Sequence, residues 1–471
     1  MTTASNLTRV PVGRGFGGLV ALLATAATLG AQAVPSAQGP LTLDAALREA
    51  DRAAFQNRIA TASTTADRAR AAAPLKGILP SMRVEAGAIR TTDPIGAFGT
   101  LLRQRQVTQA AFDPARLNDP APITNVQGGL VVEVPLLNAD AWTGRRAALA
   151  AASATAATGA WTAVGVRANV VRAYYGAVLA AEQVRMLEEA QRAADANVRQ
   201  VQAMVQQGMV TKADALQASV HALDVASQLL SARNDVQSAR EQLALLLGRS
   251  DGSLPTLPDA LPADALVRGV AARDTTATAP VNLAARADVR AARDGMAAAR
   301  ADRDRAASTL LPRLNSFARY DWFAPTALFG GRPNWTVGVM ASWSVFGGGS
   351  ELADIAGASA RASAARAGHE ALVAQGTAEA SATMRAVALA LQRLELATRA
   401  AEQTREAQRL VQKRYVGGLA TIAELLGADA SATGKALAQS AARFAVIEAL
   451  AHHRRAIGAD PSDLRVLDSE R

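Results

Sequence analysis

Proline is absent from residues 136–254 and again from residues 334–460. Each gap is filled by alanine-rich sequence with apolar residues at helical spacing, such as Val164, Val171 and Val178, then Leu216, Val220, Leu223 and Leu230. Each gap also contains one break of the same form. In the first, Gly208-Met209-Val210-Thr211 leads to Asp214; in the second, Gly418-Leu419-Ala420-Thr421 leads to Glu424, at a constant offset of 210 residues. Glycine tolerates the left-handed backbone that ends a helix. Threonine caps the next one, and the acid three residues on completes a capping box. The pattern predicts two helical hairpins, each with a first arm of roughly 68 residues, or about 100 Å, which is too long for a compact globular domain.

The segments around the hairpins repeat in the same order. Residues 34–247 form a first repeat, with a helix from about Leu43 to Ala73, strands at about 80–92 and 126–136, and a hairpin tip at about 208–214. Residues 248–281, with Pro255, Pro258, Pro262 and Pro280, read as a linker. Residues 282–457 form a second repeat, with strands at about 312–323 and 334–346 and a tip at about 417–424. Residues 458–471 read as a polar, mobile tail. In each repeat the two shorter helices together match the long one, so they can stack end to end along it.

The strands alternate with period two. Leu130, Val132 and Val134 share one face, as do Trp335, Val337, Val339 and Trp343, while Arg83, Glu85, Gln127, Glu133, Arg313, Asn315, Arg319 and Asp321 fall on the other. Strands of this length cross a bilayer when tilted, and the tryptophans suit its interface. Four strands cannot close a barrel, and lipid does not tolerate an open edge. Several chains would therefore each give four strands to one barrel, with the apolar face toward lipid and the charged face toward a wet lumen.

Residues 1–33 read as a secretory signal peptide, with Arg9 and Arg14, an apolar run from Phe16 to Leu29, and Ala31-Gln32-Ala33 as a cleavage site. No later segment has eighteen consecutive apolar residues. The net charge of +9 comes from arginines interspersed with acids along helices, which argues for solvated faces and against a nucleic-acid partner. Cysteine is absent, and the four histidines, His221, His369, His452 and His453, form no metal-ligand pattern. No nucleophile or phosphate-binding motif stands in a proper context, so the reading is of a non-enzyme without catalytic residues, metal or cofactor.

The duplicated order of Leu41-Thr42-Leu43-Asp44-Ala45-Ala46-Leu47, strand pair, long helix and Gly–Thr–acid hairpin resembles the TolC family of outer-membrane efflux proteins over residues 41–457. The resemblance implies a homotrimer in outer-membrane lipid, with a shared 12-stranded barrel and a long α-helical periplasmic tunnel. It also implies docking of a periplasmic adaptor (membrane fusion) protein and an inner-membrane pump at the hairpin tips, here Gly208, Met209, Thr211, Gly417, Gly418, Leu419 and Thr421. By position, Tyr415, Asp214 and Glu424 match a periplasmic gate, with Tyr415 hydrogen-bonded to Asp214 and Glu424 in an acidic ring. Ala420 and Gly427 stand where family members can carry a gate arginine and a second acid. The implied function is a passive exit duct for small molecules such as drugs, other toxic compounds or metal ions. A duct for protein secretion is the alternative within that class, and a periplasmic coiled-coil tether or adaptor without a pore is the alternative outside it.

Overall fold

The computed structural model describes residues 40–276 and 283–469. The expected signal peptide lies outside them, as does part of the expected linker. The elements are α1 (Leu43–Ala53), α2 (Phe55–Arg70), β1 (Ser81–Thr91), α3 (Pro94–Arg103), α4 (Pro114–Asn118), β2 (Ile123–Leu137), α5 (Ala139–Gln206), α6 (Lys212–Leu246), α7 (Asp264–Thr276), α8 (Ala287–Ser308), β3 (Arg313–Ala324), β4 (Pro333–Ser342), α9 (Ser350–Val416), α10 (Ile422–Ile457) and α11 (Val466–Ser469). Helices dominate, and the four strands form one antiparallel sheet in the order β1-β2-β3-β4.

The long helices α5 and α9, of 68 and 67 residues, organise the rest. α2 lies along the first part of α5, where Thr155 Oγ1 donates to Asp67. α6 lies along the last part, where Leu187 packs on Leu229 and Arg233 pairs with Glu188. α8 and α10 run along α9, and α8 also packs on α5. Alanine and glycine at the contacts let backbones approach. Gly159 of α5, for example, faces Ala60 of α2. By length and composition alone α5 contains a stretch apolar enough to span a bilayer.

The main core lies where the two halves of the chain meet. Tyr174, Tyr175 and Val178 of α5, Leu243 of α6, Leu394 of α9, and Ile447 and Leu450 of α10 are all fully buried there. A polar network runs through it. Glu182 accepts hydrogen bonds from Ser440 Oγ at 2.7 Å and from the Leu261 N–H at 2.8 Å, and Arg443 pairs with Asp264 at 2.5 Å. Burial pushes the Asp264 carboxyl up, but donors from Gln439 and Thr398 together with the Arg443 charge hold it below its ordinary value.

The structure corrects four expectations. The first helix is not continuous to Ala73. It breaks at Ala54 (ψ 129°), because the turn after α6 occupies the space beside it. A Cβ on Gly248 would lie 2.2 Å from the Ala53 carbonyl oxygen, and Arg249 grips Glu49 at 2.6 Å. The segment between β1 and β2 is not a plain loop, since Asp93 and Asp113 cap the short helices α3 and α4. Residues 248–281 are not only a linker, because α7 buries Val267, Val270 and Ala271 in the main core. Between Gly458 and Ser469 the expected mobile tail is packed against the core. Leu464 and Leu467 are fully buried, and Asp468 accepts hydrogen bonds from the Leu43 N–H, Tyr174 Oη and Tyr175 Oη. An i, i+3 leucine pair is enough to pin a short polar segment when two tyrosine hydroxyls supply the buried donors.

Candidate functional site

The sheet separates its side chains by face. Residues directly paired across strands share a face, so the registers define rows. Met82, Val132, Ala318 and Val337 form one row, and Val84, Leu130, Tyr320 and Trp335 form the next. Val134, Ser316 and Val339 continue the same face. It is widely exposed, with Met82 at 70%, Trp335 at 73% and Val337 at 67%. The opposite face carries Arg83, Val131, Arg319 and Thr336 in one row and Glu85, Gly129, Asp321 and Asn334 in the next. Its charges are paired: Arg83 with Glu133 at 2.9 Å, and Arg319 with Glu85 at 3.2 Å and Asp321 at 3.5 Å. The outer edges of β1 and β4 have no partner strand in the sheet.

Trp343 departs from the expectation. β4 ends at Ser342, one residue before it, and the indole Nε1 donates to the Leu310 carbonyl at 2.9 Å. The glycine run Gly347-Gly348-Gly349 then turns the chain into α9, so the strand cannot extend to Phe346. Trp343 still lies exposed beside that end of the sheet, and Tyr320, Trp322 and Phe329 cluster edge to face near the other end.

The hairpin tips are built alike. Gly208 and Gly418 both adopt φ of 72°, the left-handed region that favours glycine, whereas Gly417 has an ordinary φ of −81°. The Thr211 N–H donates to Asp214 at 2.8 Å and the Asp214 N–H donates back to Thr211 Oγ1 at 3.2 Å; Thr421 and Glu424 repeat this at 2.8 and 3.3 Å. The hydrogen bond from the Thr421 N–H holds the exposed Glu424 carboxyl below its ordinary value. Met209 and Leu419 stand exposed at the tips. Each capped turn thus presents one exposed apolar side chain, Met209 on the first and Leu419 on the second.

Tyr415 is brought to the other tip but not onto Asp214. It is buried between the hairpins among Val201, Ala218, Ile422, Leu425 and Leu426. Its hydroxyl contacts Met204 Sδ at 3.8 Å, and the Asp214 carboxylate is engaged by Thr211 instead. Burial, and then the nearby Asp214 charge, push the Tyr415 phenol up. Ala420 packs against the same cluster, and Gly427 meets nothing within 4 Å of an added Cβ.

The polar link between the hairpins nearest the tips uses a residue that the sequence pattern does not single out. Asp429 accepts hydrogen bonds from Asn197 of α5 and Gln408 of α9, both at 2.9 Å. One carboxylate thus joins three helices. Its only signal is its position on α10, little more than one turn beyond Glu424, and nothing in the sequence marks its two amide partners on distant helices. Among the described residues, no group of three or more His, Asp and Glu could hold a metal ion.

The chain matches the model of the family described as outer membrane efflux protein over residues 95–249 and 280–459. Among solved structures it is similar to the outer-membrane channel OprN, with 22% identity, a TM-score of 0.71, and coverage of 89% of this chain and 90% of that one. It is also similar to the Campylobacter jejuni CmeC outer membrane channel (16%, 0.74, 91% and 88%) and to the outer membrane protein VceC from Vibrio cholerae (18%, 0.71, 89% and 96%). No curated protein sequence matches the chain.

Proposed function

This chain belongs to the outer membrane efflux protein family, and from that premise we propose that three copies close one barrel and act with a periplasmic adaptor and an inner-membrane pump. The family places it in the outer membrane as an exit channel, with its helices extending into the periplasm, and not among enzymes. The two-faced sheet with unpaired edges carries the proposal. Its apolar face is exposed in the single chain and its polar face is already ion-paired. β4 of one protomer would pair with β1 of the next, which removes every edge from lipid. A soluble tether would have no reason to expose Met82, Val84, Trp335, Val337 and Val339 together.

The barrel would continue into a tunnel lined by α5, α6, α9 and α10 of each copy, closed at the tips in the resting state. Opening would follow from separation of the hairpins held by Asp429 and the Tyr415 cluster, with Glu424 facing the mouth. The energy source would lie in the pump, and the cargo would be small molecules that the pump selects. The adaptor reading is tested at the tips. A photo-crosslinking residue at Leu419 or Met209 should capture the periplasmic adaptor in living cells, and one at Leu328, at the far end of the sheet, should not. Adducts equally frequent at all three sites, or none at the tips, would reject docking there.

A further inference from the structure

The segment between β1 and β2 does not project away from the end of the sheet. Gln104 Nε2 donates to Asn125 Oδ1 and to the Thr124 carbonyl, both at 3.0 Å. The Arg103 guanidinium lies 5.3 Å from the centre of the Phe323 ring, and Arg105 donates to the Pro333 carbonyl. Asn125 and Phe323 both belong to the charged face, since they share the alternation of Val131 and Arg319. Gln104 and Arg103 therefore lie over β2 and β3 on that face, which the exit-duct reading makes the lumen wall, and Arg105 reaches the backbone at the start of β4. They bury Asn125 to 2% and Phe323 to 9%. Arg105 reaches its carbonyl with a φ of 55°, a left-handed backbone uncommon for a side-chain-bearing residue, so the crossing is held against a local preference.

The charges here differ from those deeper in the sheet. Arg83 and Arg319 are neutralised by Glu133, Glu85 and Asp321. Neither Arg103 nor Arg105 has a carboxylate ion-pair partner among the described residues, and both are exposed. The acids nearest in sequence cap helices and pair with neither arginine. Asp93 accepts the Gly96 N–H that opens α3, and Asp113 accepts the Ala115 N–H that opens α4.

We propose, resting on the exit-duct reading, that Arg103 and Arg105 form a cationic collar at the extracellular outlet, narrowing it and attracting multivalent anions of the phosphate or polycarboxylate class. Copies from each protomer would face one another across the opening, where a ring of one sign concentrates counter-ions. Guanidinium forks suit phosphate oxygens because they bind them in pairs.

The test uses full-length protein inserted in one orientation in planar bilayers, with inositol hexakisphosphate as the probe. Added on the side of residues 92–122, it should block the current at concentrations about tenfold lower than from the hairpin-tip side. Arg103→Gln with Arg105→Gln should abolish that asymmetry, and Arg103→Lys with Arg105→Lys should keep most of it. Equal block of wild type from both sides overturns the collar, as does an asymmetry that survives in the Gln pair. If the Gln pair fails to assemble, the wild-type comparison decides alone. An oligomer that inserts and passes no current, as wild type and equally with Asp429→Ala, defeats the exit-duct reading itself. A conducting one with symmetric block defeats only the collar.

Discussion

Val337→Arg is expected to abolish most assembly in the outer membrane, whereas Thr336→Arg, one residue away, is expected to leave it near normal. Val337 sits in the middle of β4, paired with Ala318 and 67% exposed on the apolar face. In the proposed barrel a charge there would meet hydrocarbon, at about 2–4 kcal/mol per copy near the bilayer midplane. Three copies in the proposed barrel would add up to roughly the whole folding stability of an ordinary domain. Thr336 points to the other face, beside an Arg319 whose charge is already met by Glu85 and Asp321. The measurement is the yield of heat-modifiable oligomer in outer-membrane fractions. Equal yields from the two variants would mean that the faces are exchanged, as a one-residue slip in register would do.

Asp429→Ala is expected to open the periplasmic end. Its carboxylate accepts from both Asn197 and Gln408, so its loss leaves two amide donors without their partner and removes the polar tie of α10 to α5 and α9 nearest the tips. Hydrogen bonds to a charged group contribute about 1.5–3 kcal/mol each, and in the proposed oligomer the symmetric copies would act on the same closed state. Unitary conductance should rise several-fold, and cells should become sensitive to large antibiotics that the outer membrane excludes, with oligomer yield unchanged. Tyr415→Phe alone should do little, because the hydroxyl has only a thioether contact while the ring keeps its place in the apolar cluster. A variant that forms normal oligomers at wild-type conductance would place the constriction away from Asp429.

The periodic parts of this fold were legible in the sequence. Proline-free alanine-rich runs become α5 and α9, and the alternation of Val132 with Glu133 and of Val337 with Thr336 becomes the two faces of the sheet. The capping boxes were legible because Gly, Thr and acid act within a few residues of one another. What escaped is what depends on distant partners. Leu464 and Leu467 look like part of a polar tail until Tyr174 and Tyr175 are seen to receive Asp468. Ala54 carries no helix-breaking signal, because the obstruction comes from Gly248. Asp214 is in the expected place, but a local cap outcompetes a long-range bond to Tyr415, since Thr211 lies three residues away and needs no additional ordering. The interhelical bridge went to Asp429, whose amide partners no local spacing could reveal.

Single-channel recording of the purified wild-type protein in planar bilayers tests most directly whether this chain builds a water-filled path through the outer membrane. Detergent-stable oligomers should insert and give discrete, uniform current steps, small in the resting state and larger for Asp429→Ala. Intact heat-modifiable oligomers that enter the bilayer and leave the current at baseline, with Asp429→Ala equally silent, would contradict it.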